Sequence, residues 1–374
     1  MLPPGAPPAG PTTAWAARRL DLVTNGESET PAQSYAWAPA PPAGPRRARR
    51  RRRAIILAVL VVAILAVIGV VIGVVVAASQ PAASKAPHPG MALSVPSDTA
   101  AAKASATAPK GTDAATAAAY LAAQPTAVWL TPEHSGIGAV GATVAALLDE
   151  AKAADAALTL VVYGLPERDC GQYSAGGLAP ADYETWVAEI GTALKAVPEV
   201  TTIVMLEPDS LALAPQCGNV DARVTQLQSA IGDLVADNTW IYLDGGHSSW
   251  LPADQMADLL RQAGVERVRG FATNVSNYNA LGDEVAYAHK VSALLDGAHA
   301  VIDTSRNGAG SNGEWCNPSG RLIGEAGGTS GDDVVDLNLW IKPPGESDGT
   351  CNGGPAAGTW WAQSAVELTR NTAR

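Results

Sequence analysis

Phenylalanine is almost missing from this 374-residue sequence, which contains one Phe against 10 Trp. Cores normally spread their aromatic packing over Phe, so the excess of Trp indicates either flat stacking surfaces or a Trp-rich core. Basic charge is also scarce outside one run. Seven of the eight residues 46–53 are arginine, whereas the rest of the chain contains 18 Lys and Arg and 36 Asp and Glu. An acidic bulk of this kind argues against a nucleic-acid partner.

Signals for a metal or a nucleotide cofactor are missing as well. The four cysteines lack the short paired spacing of a zinc site, and His247 has no second His at ligand spacing. The turn GLPERDCG, which follows an early predicted strand, contains no GxGxxG fingerprint. We therefore expect no metal and no cofactor. The even number of cysteines, all within residues 170–351, suits structural disulfides in an oxidising compartment.

The N-terminal part of the chain predicts a membrane anchor. Residues 1–53 are rich in Pro and Ala and end in the arginine cluster, which is typical of a disordered tail. Residues 54–78 then run without a charge, long enough for one transmembrane helix. The arginines before this run place the tail in the cytoplasm and the C-terminal part outside the cell membrane. The alternative is a secreted protein, cleaved after the apolar run at the small residues VVAAS, 75–79.

Two further segments follow the apolar run. Residues 79–116 are dominated by Pro, Ala, Ser and Thr without periodicity, and predict an extended linker. Residues 117–374 predict the functional domain, because strand and helix patterns alternate through them. The seven strand candidates are residues 127–130, 158–165, 201–208, 239–245, 268–274, 300–305 and 335–344. Seven strands suggest a parallel β/α barrel, and an open doubly wound sheet is the alternative.

Acidic side chains follow several of the predicted strands. Asp169, Asp209 and Asp244 each stand at the end of one strand, and a Lys, a Glu and an Asp follow the last one. A single Asp after a strand is usually a helix cap, but several at the same rim, with Trp nearby, are harder to explain in that way. Neighbouring carboxylates and burial both raise a carboxyl pKa. Such a site can keep one acid protonated, as the cleavage of a glycosidic bond requires.

Seven sequence blocks, in order, resemble glycoside hydrolase family 6, which contains endoglucanases and cellobiohydrolases acting on cellulose. The resemblance covers roughly residues 120–365 and rests on VVYGLPERDC, LEPDSLAL, YLDGGHSSWL, ATNVSNY, VIDTSRNG, NGEWCNPSGR and LWIKPPGESDG. It implies a distorted seven-stranded parallel β/α barrel. It also implies inverting hydrolysis of β-1,4-glucosidic bonds in cellulose or a related β-glucan.

The resemblance carries residue roles with it. It implies that Asp209 is the general acid, that Asp169 keeps it protonated and helps to activate water, and that Asp348 is the proposed base. Tyr163 matches the tyrosine that distorts the sugar at the cleavage point. The implied disulfides are Cys170–Cys217 and Cys316–Cys351. Residues matching substrate-binding or site-wall positions are Trp129, Asp244, His247, Trp250, Asn274, Arg306, Trp315, Lys342 and Glu346. Two other tryptophans, Trp186 and Trp340, are expected in the core.

The details of the activity are also expectations. Only 35 positions separate Cys316 from Cys351, which leaves little sequence for a tunnel roof and favours an open cleft with internal cleavage by a monomeric domain. One departure matters: Ala175, preceded by Ser174, stands where the family usually has a Ser that helps to hold water. This departure supports a second hypothesis, a surface-displayed glucan-binding protein with weak catalysis. A metal-dependent polysaccharide deacetylase is a third, without a ligand cluster to support it.

Overall fold

The computed structural model describes residues 86–171 and 176–372, which belong to a unit spanning residues 80–374. The predicted tail, residues 1–53, and the predicted transmembrane helix, residues 54–78, lie outside the described residues. Among the residues that are described, no helix combines the length and the apolar character needed to cross a bilayer.

All seven predicted strands are present, and they form one parallel sheet in the order β1 to β7. Strands β2, β3, β5 and β7 are buried along their whole length, which explains why the sequences of β2 and β3 are nearly continuous apolar runs. The strands are Val128–Leu130, Leu158–Val162, Thr202–Leu206, Thr239–Asp244, Gly270–Thr273, His299–Asp303 and Val335–Leu339. A sheet whose spatial order follows the chain order has no switch point, so the doubly wound alternative is wrong.

Nine α-helices surround or precede these strands in the described part of the chain. Local signals explain several ends: the side chain of Thr99 caps the first helix and that of Thr112 the second, and Gly264 ends the seventh in the left-handed region. Helices α1 to α9 are Ala100–Thr107, Asp113–Ala122, Val140–Ala153, Pro180–Lys195, Ser210–Cys217, Val220–Leu234, Ala253–Ala263, Leu281–Leu294 and Ala362–Leu368.

The curled sheet has a separate core on each face. Alternate strand residues point inward, where Val161, Met205 and Leu337 belong to one buried cluster. The other residues point outward against the helices, where fully buried Trp186 packs in a larger cluster. Trp340, which is 1% exposed, packs with residues of α2 and α9 in a third cluster. Both tryptophans expected in the core are therefore confirmed as core residues.

The barrel remains open between its first and last strands. Within the described residues the sheet has no ladder between β1 and β7. Two hydrogen bonds cross this gap instead: the backbone N–H of Ala127 donates to the carbonyl of Trp340 at 2.9 Å, and Nε1 of Trp129 donates to the carbonyl of Ile341 at 2.8 Å. The sheet is therefore a distorted, incompletely closed barrel.

The linker prediction for residues 79–116 needs correction over residues 86–116. Helix α1 and the start of α2 lie there, and the segment before them is tied to the barrel. Ala157, just before β2, exchanges backbone hydrogen bonds of 2.8 Å with Ala92 and Ser94. Leu93 packs against the inner cluster. The segment therefore fills the amino-terminal end of the barrel, through backbone bonds and a few side chains that its composition does not reveal.

We predict that Leu93→Ala lowers the free energy of unfolding by about 1–3 kcal/mol, because it removes apolar contacts from the end of the barrel. The measurement is urea-induced unfolding followed by circular dichroism. The matched control is Val95→Ala on the same segment, where the side chain is 42% exposed and the change should stay within about 0.5 kcal/mol. Equal stability of the two variants would contradict the assignment of this segment to the barrel.

Candidate active site

Three aspartates meet at the carboxyl ends of neighbouring strands. Asp244 is the last residue of β4, Asp209 follows β3 by three residues, and Asp169 lies in the turn after β2. Asp244 joins two of these strand ends, since its Oδ2 accepts the backbone N–H groups of Asp209 and Gly246, each at 3.0 Å. The sequence expectation that these acids share one rim is therefore met by the structure.

The backbone around these aspartates is in an uncommon conformation. Asp169 and Cys170 both have φ of +54°, Glu207 has +54° and Asp209 has +65°. Left-handed conformations cost non-glycine residues about 1–2 kcal/mol each. They concentrate here because the chain must turn sharply at the strand ends to direct carboxyl groups into the mouth of the barrel, a pattern typical of functional sites.

Burial and charge keep the Asp209 carboxyl protonated. Loss of hydration raises its pKa well above the ordinary value, and the negative charges of Asp244 and then Asp169 raise it further. The sequence led us to expect Asp169 as the main charged neighbour; the structure places Asp244 ahead of it. Burial also raises the pKa of Asp244 to about 7. The site therefore holds a carboxyl that carries a proton under conditions where exposed carboxyls have lost theirs.

Tyr163 lies close to two of the three predicted catalytic aspartates, Asp169 and Asp209. Its hydroxyl donates to Oδ2 of Asp169 at 2.5 Å, and burial followed by the charges of Asp169 and Asp209 raises its pKa. Its ring meets the indole of Trp129 edge-on, with centroids 5.1 Å apart, and the guanidinium of Arg168 stands 4.2 Å from its centroid. Tyr163 therefore remains a neutral phenol in an aromatic wall beside both carboxyl groups.

Two buried side chains, those of Glu207 and Arg223, hold the turn that carries Tyr163 and Asp169. The carboxylate of Glu207 accepts the backbone N–H groups of Gly164 at 2.9 Å and Leu165 at 3.2 Å. On the other side, Arg223 donates to two carbonyls of the turn, one at 2.5 Å and one at 2.9 Å. Sequence reasoning did not assign Glu207 or Arg223. The Glu of LEPDS was a signal for the first, because it stands two residues before Asp209, directly after a strand.

Asp348, from the loop after β7, is firmly held. Nη1 of Arg306 donates to both of its oxygens, at 2.8 and 2.9 Å, and Oδ2 also accepts the Tyr278 hydroxyl at 2.9 Å and the Asn317 backbone N–H at 3.0 Å. Although burial acts in the opposite direction, Arg306 and then Lys342 hold the pKa of Asp348 below its ordinary value. Asp348 is therefore a carboxylate whose lone pairs are largely occupied. Tyr278 and Asn317 were missing from the sequence assignment.

Lys342 and Glu346 line the rim between β7 and β1. Nζ of Lys342 lies 5.7 Å from the ring centroid of Trp129 and 3.9 Å from Oδ1 of Asp348. Burial lowers the pKa of Lys342 and raises that of Glu346. Below them, buried Asp303 accepts the backbone N–H of Lys342 at 3.0 Å, which fixes the start of this loop. The structure therefore brings these predicted site residues together with Trp129.

The loop after β4 carries His247 and Trp250, whose rings are 5.3 Å apart. Burial lowers the pKa of His247 to about 4, so the imidazole is neutral at ordinary pH. Asn274 differs from its expected role as a sugar contact. It is fully buried, its amide donates to the Asp303 carbonyl at 2.8 Å, and its oxygen accepts the Asn279 N–H at 3.1 Å. The structure thus gives Asn274 a loop-holding role in place of that contact.

The remaining predicted features lie on the loops. Trp315 is 56% exposed beside the disulfide Cys316–Cys351, and Cys170–Cys217 joins the Asp169 turn to the end of α5. Both cysteine pairings are confirmed. Ser174 and Ala175, where the sequence departs from the family pattern, lie outside the described residues.

Among the described residues, one group of side chains has ligand atoms close enough together to hold a metal ion. The ligand atoms of His289, Asp332 and Asp333 lie within 4.8 Å of one another. However, His289 already bonds Asp332 at 2.8 Å, the two aspartates are exposed, and they precede β7 at the amino-terminal end of the barrel. This group is therefore separate from the catalytic face.

A buried acid with neighbouring carboxylates, at the mouth of a parallel barrel lined by Trp and Tyr, is the arrangement that the cleavage of a glycosidic bond requires. The model of the family described as Glycosyl hydrolases family 6 matches residues 90–372. The chain therefore belongs to glycoside hydrolase family 6.

Characterised relatives and solved structures agree with this family. The chain is 46% identical to Endoglucanase A of Cellulomonas fimi over 231 residues, which are 62% of this chain and 51% of that protein. It is 40% identical to Endoglucanase 1 of Streptomyces halstedii over 264 residues, 67% of this chain and 79% of that one. The chain thus spans about half the length of the first relative.

The solved structure of endoglucanase Cel6 from Mycobacterium tuberculosis, in complex with methyl-cellobiosyl-4-deoxy-4-thio-β-D-cellobioside, is also similar. It has a TM-score of 0.71 and 38% identity, and the match covers 78% of this chain and 99% of that one. Endoglucanase CEL6B from Humicola insolens has a TM-score of 0.65 and 28% identity, with coverages of 75% and 97%.

We predict that Arg306→Met lowers the free energy of unfolding by about 3–5 kcal/mol at pH 7, because it removes the main cationic partner of the buried Asp348 carboxylate and leaves only Lys342, 3.9 Å away. Since the folded pKa of Asp348 is depressed, its stabilising effect is present above the ordinary carboxyl pKa, about 4, and is lost as the pH falls through the folded value. The deficit of the variant should therefore shrink in acid. Urea unfolding at several pH values measures it.

The matched control for this prediction is Arg261→Met. Arg261 pairs with Asp258 at 2.7 Å, but the side chains are 53% and 71% exposed, so the loss should be below about 1 kcal/mol. Similar losses in both variants would mean that Asp348 gains nothing from its buried partner.

Proposed function

We propose that this chain hydrolyses β-1,4-glucosidic bonds within cellulose or a related β-glucan, with inversion at the anomeric carbon and Asp209 as the general acid. One observation carries the proposal: in a family 6 chain, the Asp209 carboxyl is desolvated beside Asp244 and Asp169 at the mouth of the barrel. Such a carboxyl has the proton that the leaving glycosidic oxygen needs.

In this proposal Asp169 is the base: its carboxylate takes a proton from the water that attacks the anomeric carbon, directly or through a second water, while Asp209 gives its proton to the leaving oxygen. Asp169 receives one short hydrogen bond, from Tyr163 to Oδ2, and its Oδ1 has no partner among the described residues. Asp348, by contrast, is surrounded by donors that lower its pKa, which makes it a weak proton acceptor. We therefore assign Asp348 to the placement of Arg306 and Lys342 rather than to proton transfer, which differs from the expectation drawn from the sequence.

The glucan chain in this proposal lies across the rim from Trp129 towards Trp250. The Trp129 indole, whose N–H is already donated to Ile341, offers its ring to a pyranose face. Lys342 and Glu346 offer a donor and an acceptor to hydroxyl groups on the same side. At the cleavage point, the Tyr163 ring presses on the sugar, which favours a distorted ring close to the oxocarbenium-like transition state.

Cleavage within the chain, rather than release from its ends, agrees with the short loops. The relatives with the highest identities quoted above are both endoglucanases. Cys316 and Cys351 are joined into a compact disulfide loop, and Trp315 next to it is exposed. An exposed tryptophan suits a cleft that can bind the middle of a glucan chain.

We predict that Asp209→Asn reduces kcat/KM for cellohexaose by about 10²–10⁴-fold, because an amide cannot supply the proton. Asn keeps the shape of the side chain and tolerates the left-handed backbone at this position. Proton NMR of fresh wild-type products should show the α-anomer first. The control is Asp155→Asn, another left-handed aspartate, exposed and far from the rim, which should retain wild-type activity. Initial β-anomer or an active Asp209→Asn variant would refute the mechanism.

We predict that Asp244→Asn moves the alkaline limb of the kcat/KM–pH profile to lower pH by about one unit. The Asp244 charge raises the pKa of Asp209, and the active, protonated form of Asp209 is lost as pH rises through that pKa. Removing the charge therefore causes the loss at lower pH. Asp258→Asn, which removes an exposed charge, is the control. An unmoved or upward-moved limb would show that Asp244 does not tune the acid.

We also propose that residues 54–78 anchor the protein in the cell membrane, with residues 1–53 cytoplasmic and the catalytic domain outside. The support is the 25-residue run without charge and the arginines that precede it. Both disulfides, which form outside reducing compartments, agree with that location.

For this anchor we expect full-length protein to stay with the membrane fraction after an alkaline carbonate wash, because a spanning helix resists extraction. A variant lacking residues 54–78 should lose that association and is the control. Release of the full-length chain by the wash would contradict the anchor. A soluble product whose N-terminus lies just after the apolar run would instead identify a cleaved export signal.

A further inference from the structure

A cavity of about 370 Å³ lies beside the Asp348 cluster, outside the rim described above. We name it the Trp361 cavity, after a residue that lines it at the start of helix α9. Its other lining residues include Tyr278, Arg306, Asn317, Arg321 and Glu314. Arg306 is shared with the predicted site, whereas Asp348 and the rim residues Trp129, Trp250, Lys342 and Glu346 are not part of the lining. The cavity is at the small end of the volumes that hold small organic ligands, and suits one or two sugar rings.

The lining of the Trp361 cavity combines an aromatic ring with hydrogen-bond donors and acceptors. Nε1 of half-buried Trp361 already donates to Gln363 at 3.2 Å, so the ring itself is what this residue offers. Nη2 of Arg321 has no hydrogen-bond partner in residues 86–171 and 176–372, where Nε and Nη1 bond carbonyl groups. Glu314 accepts one bond, 3.4 Å from Asn352 to Oε2. Aromatic carbon, free donors and free acceptors together suit a neutral polyhydroxylated ligand.

The floor of the cavity is also the support of Asp348. Tyr278, Arg306 and Asn317 line the cavity, and the same three residues donate the hydrogen bonds that hold the Asp348 carboxylate. Arg306 stacks on Tyr278, with its guanidinium carbon 4.4 Å from the ring centroid. A ligand in the cavity therefore contacts the groups that fix one wall of the catalytic rim.

We propose that the Trp361 cavity is a second carbohydrate-binding site, which takes a short β-glucoside such as cellobiose and through it modulates the neighbouring catalytic rim. This inference rests on the proposed function, because short β-glucosides are the products of that reaction. Occupancy would change how firmly Tyr278 and Arg306 hold Asp348. Product would then act on kcat from the cavity, in addition to competing with substrate in the cleft.

Binding is tested first, by titrating cellobiose into full-length protein that carries Asp209→Asn. With this background we expect two classes of site. Adding Ser364→Trp, which fills the cavity from helix α9, should abolish one class, and Arg321→Ala should weaken the same class at least tenfold. Thr185→Trp, the same kind of substitution at an exposed position of α4, should leave both. A titration unaffected by Ser364→Trp and Arg321→Ala would overturn the proposal. A single class of cellobiose site in the Asp209→Asn protein itself would also overturn it.

Kinetics then test the coupling. For hydrolysis of cellohexaose, added cellobiose should lower kcat and raise KM in the wild type, but only raise KM in Ser364→Trp. A purely competitive pattern in the wild type would refute the modulation. If no variant or wild type hydrolyses cellohexaose, the proposed function fails, while the titration still decides whether the cavity binds the sugar. Wild-type circular dichroism and an unchanged Tm show that Ser364→Trp is folded.

Discussion

The free energy of placing negative charge on Asp209 is the constraint on which the catalytic face depends. This carboxyl has lost water, and it shares its surroundings with the carboxyl groups of Asp244 and Asp169. The protein limits the resulting repulsion by leaving a proton on Asp209. It then supports the other two groups with backbone N–H donors and with the Tyr163 hydroxyl. Protonation of Asp209 therefore reduces the repulsion among these carboxyl groups, and it also provides the proton for catalysis.

The two walls of the site solve the problem of buried charge differently. On one wall, burial and then neighbouring carboxyl groups raise the pKa values of Asp209 and Asp244. On the other, Arg306 and Lys342 hold Asp348 in its charged form. The result is a gradient of protonation across the cleft, from a neutral acid to a paired carboxylate.

Much of this organisation was predictable from the sequence, for identifiable reasons. Parallel strands are buried on both faces, so β2 and β3 are visible as continuous apolar runs, and the aspartates that follow them identify the carboxyl ends. The predictions that were incomplete involve contacts with no local pattern. Tyr278 reaches Asp348 across 70 positions of sequence, and Arg223 supports a turn 56 and 57 positions away.

Residues 86–116 show a different limit of sequence reasoning. Their Ala, Pro, Ser and Thr content is typical of an extended linker, yet backbone hydrogen bonds from Ala92 and Ser94 tie the segment to the start of β2. Amino-acid composition describes only side chains, whereas main-chain hydrogen bonds provide much of the attachment of this segment to the barrel. Asn274 shows the converse, since its motif suggested a sugar contact while its buried amide holds a loop.

The path by which the described chain joins the barrel has a practical consequence for handling the protein. Residues 88–94 run along the amino-terminal ends of the strands, opposite the face that carries Asp209, whereas helix α9 near the C-terminus borders the Trp361 cavity. Affinity tags, fluorophores or bead attachments joined directly to residue 86 should leave the glucan cleft accessible. The same additions after residue 372 would stand close to the cavity and could be mistaken for an effect of its ligand.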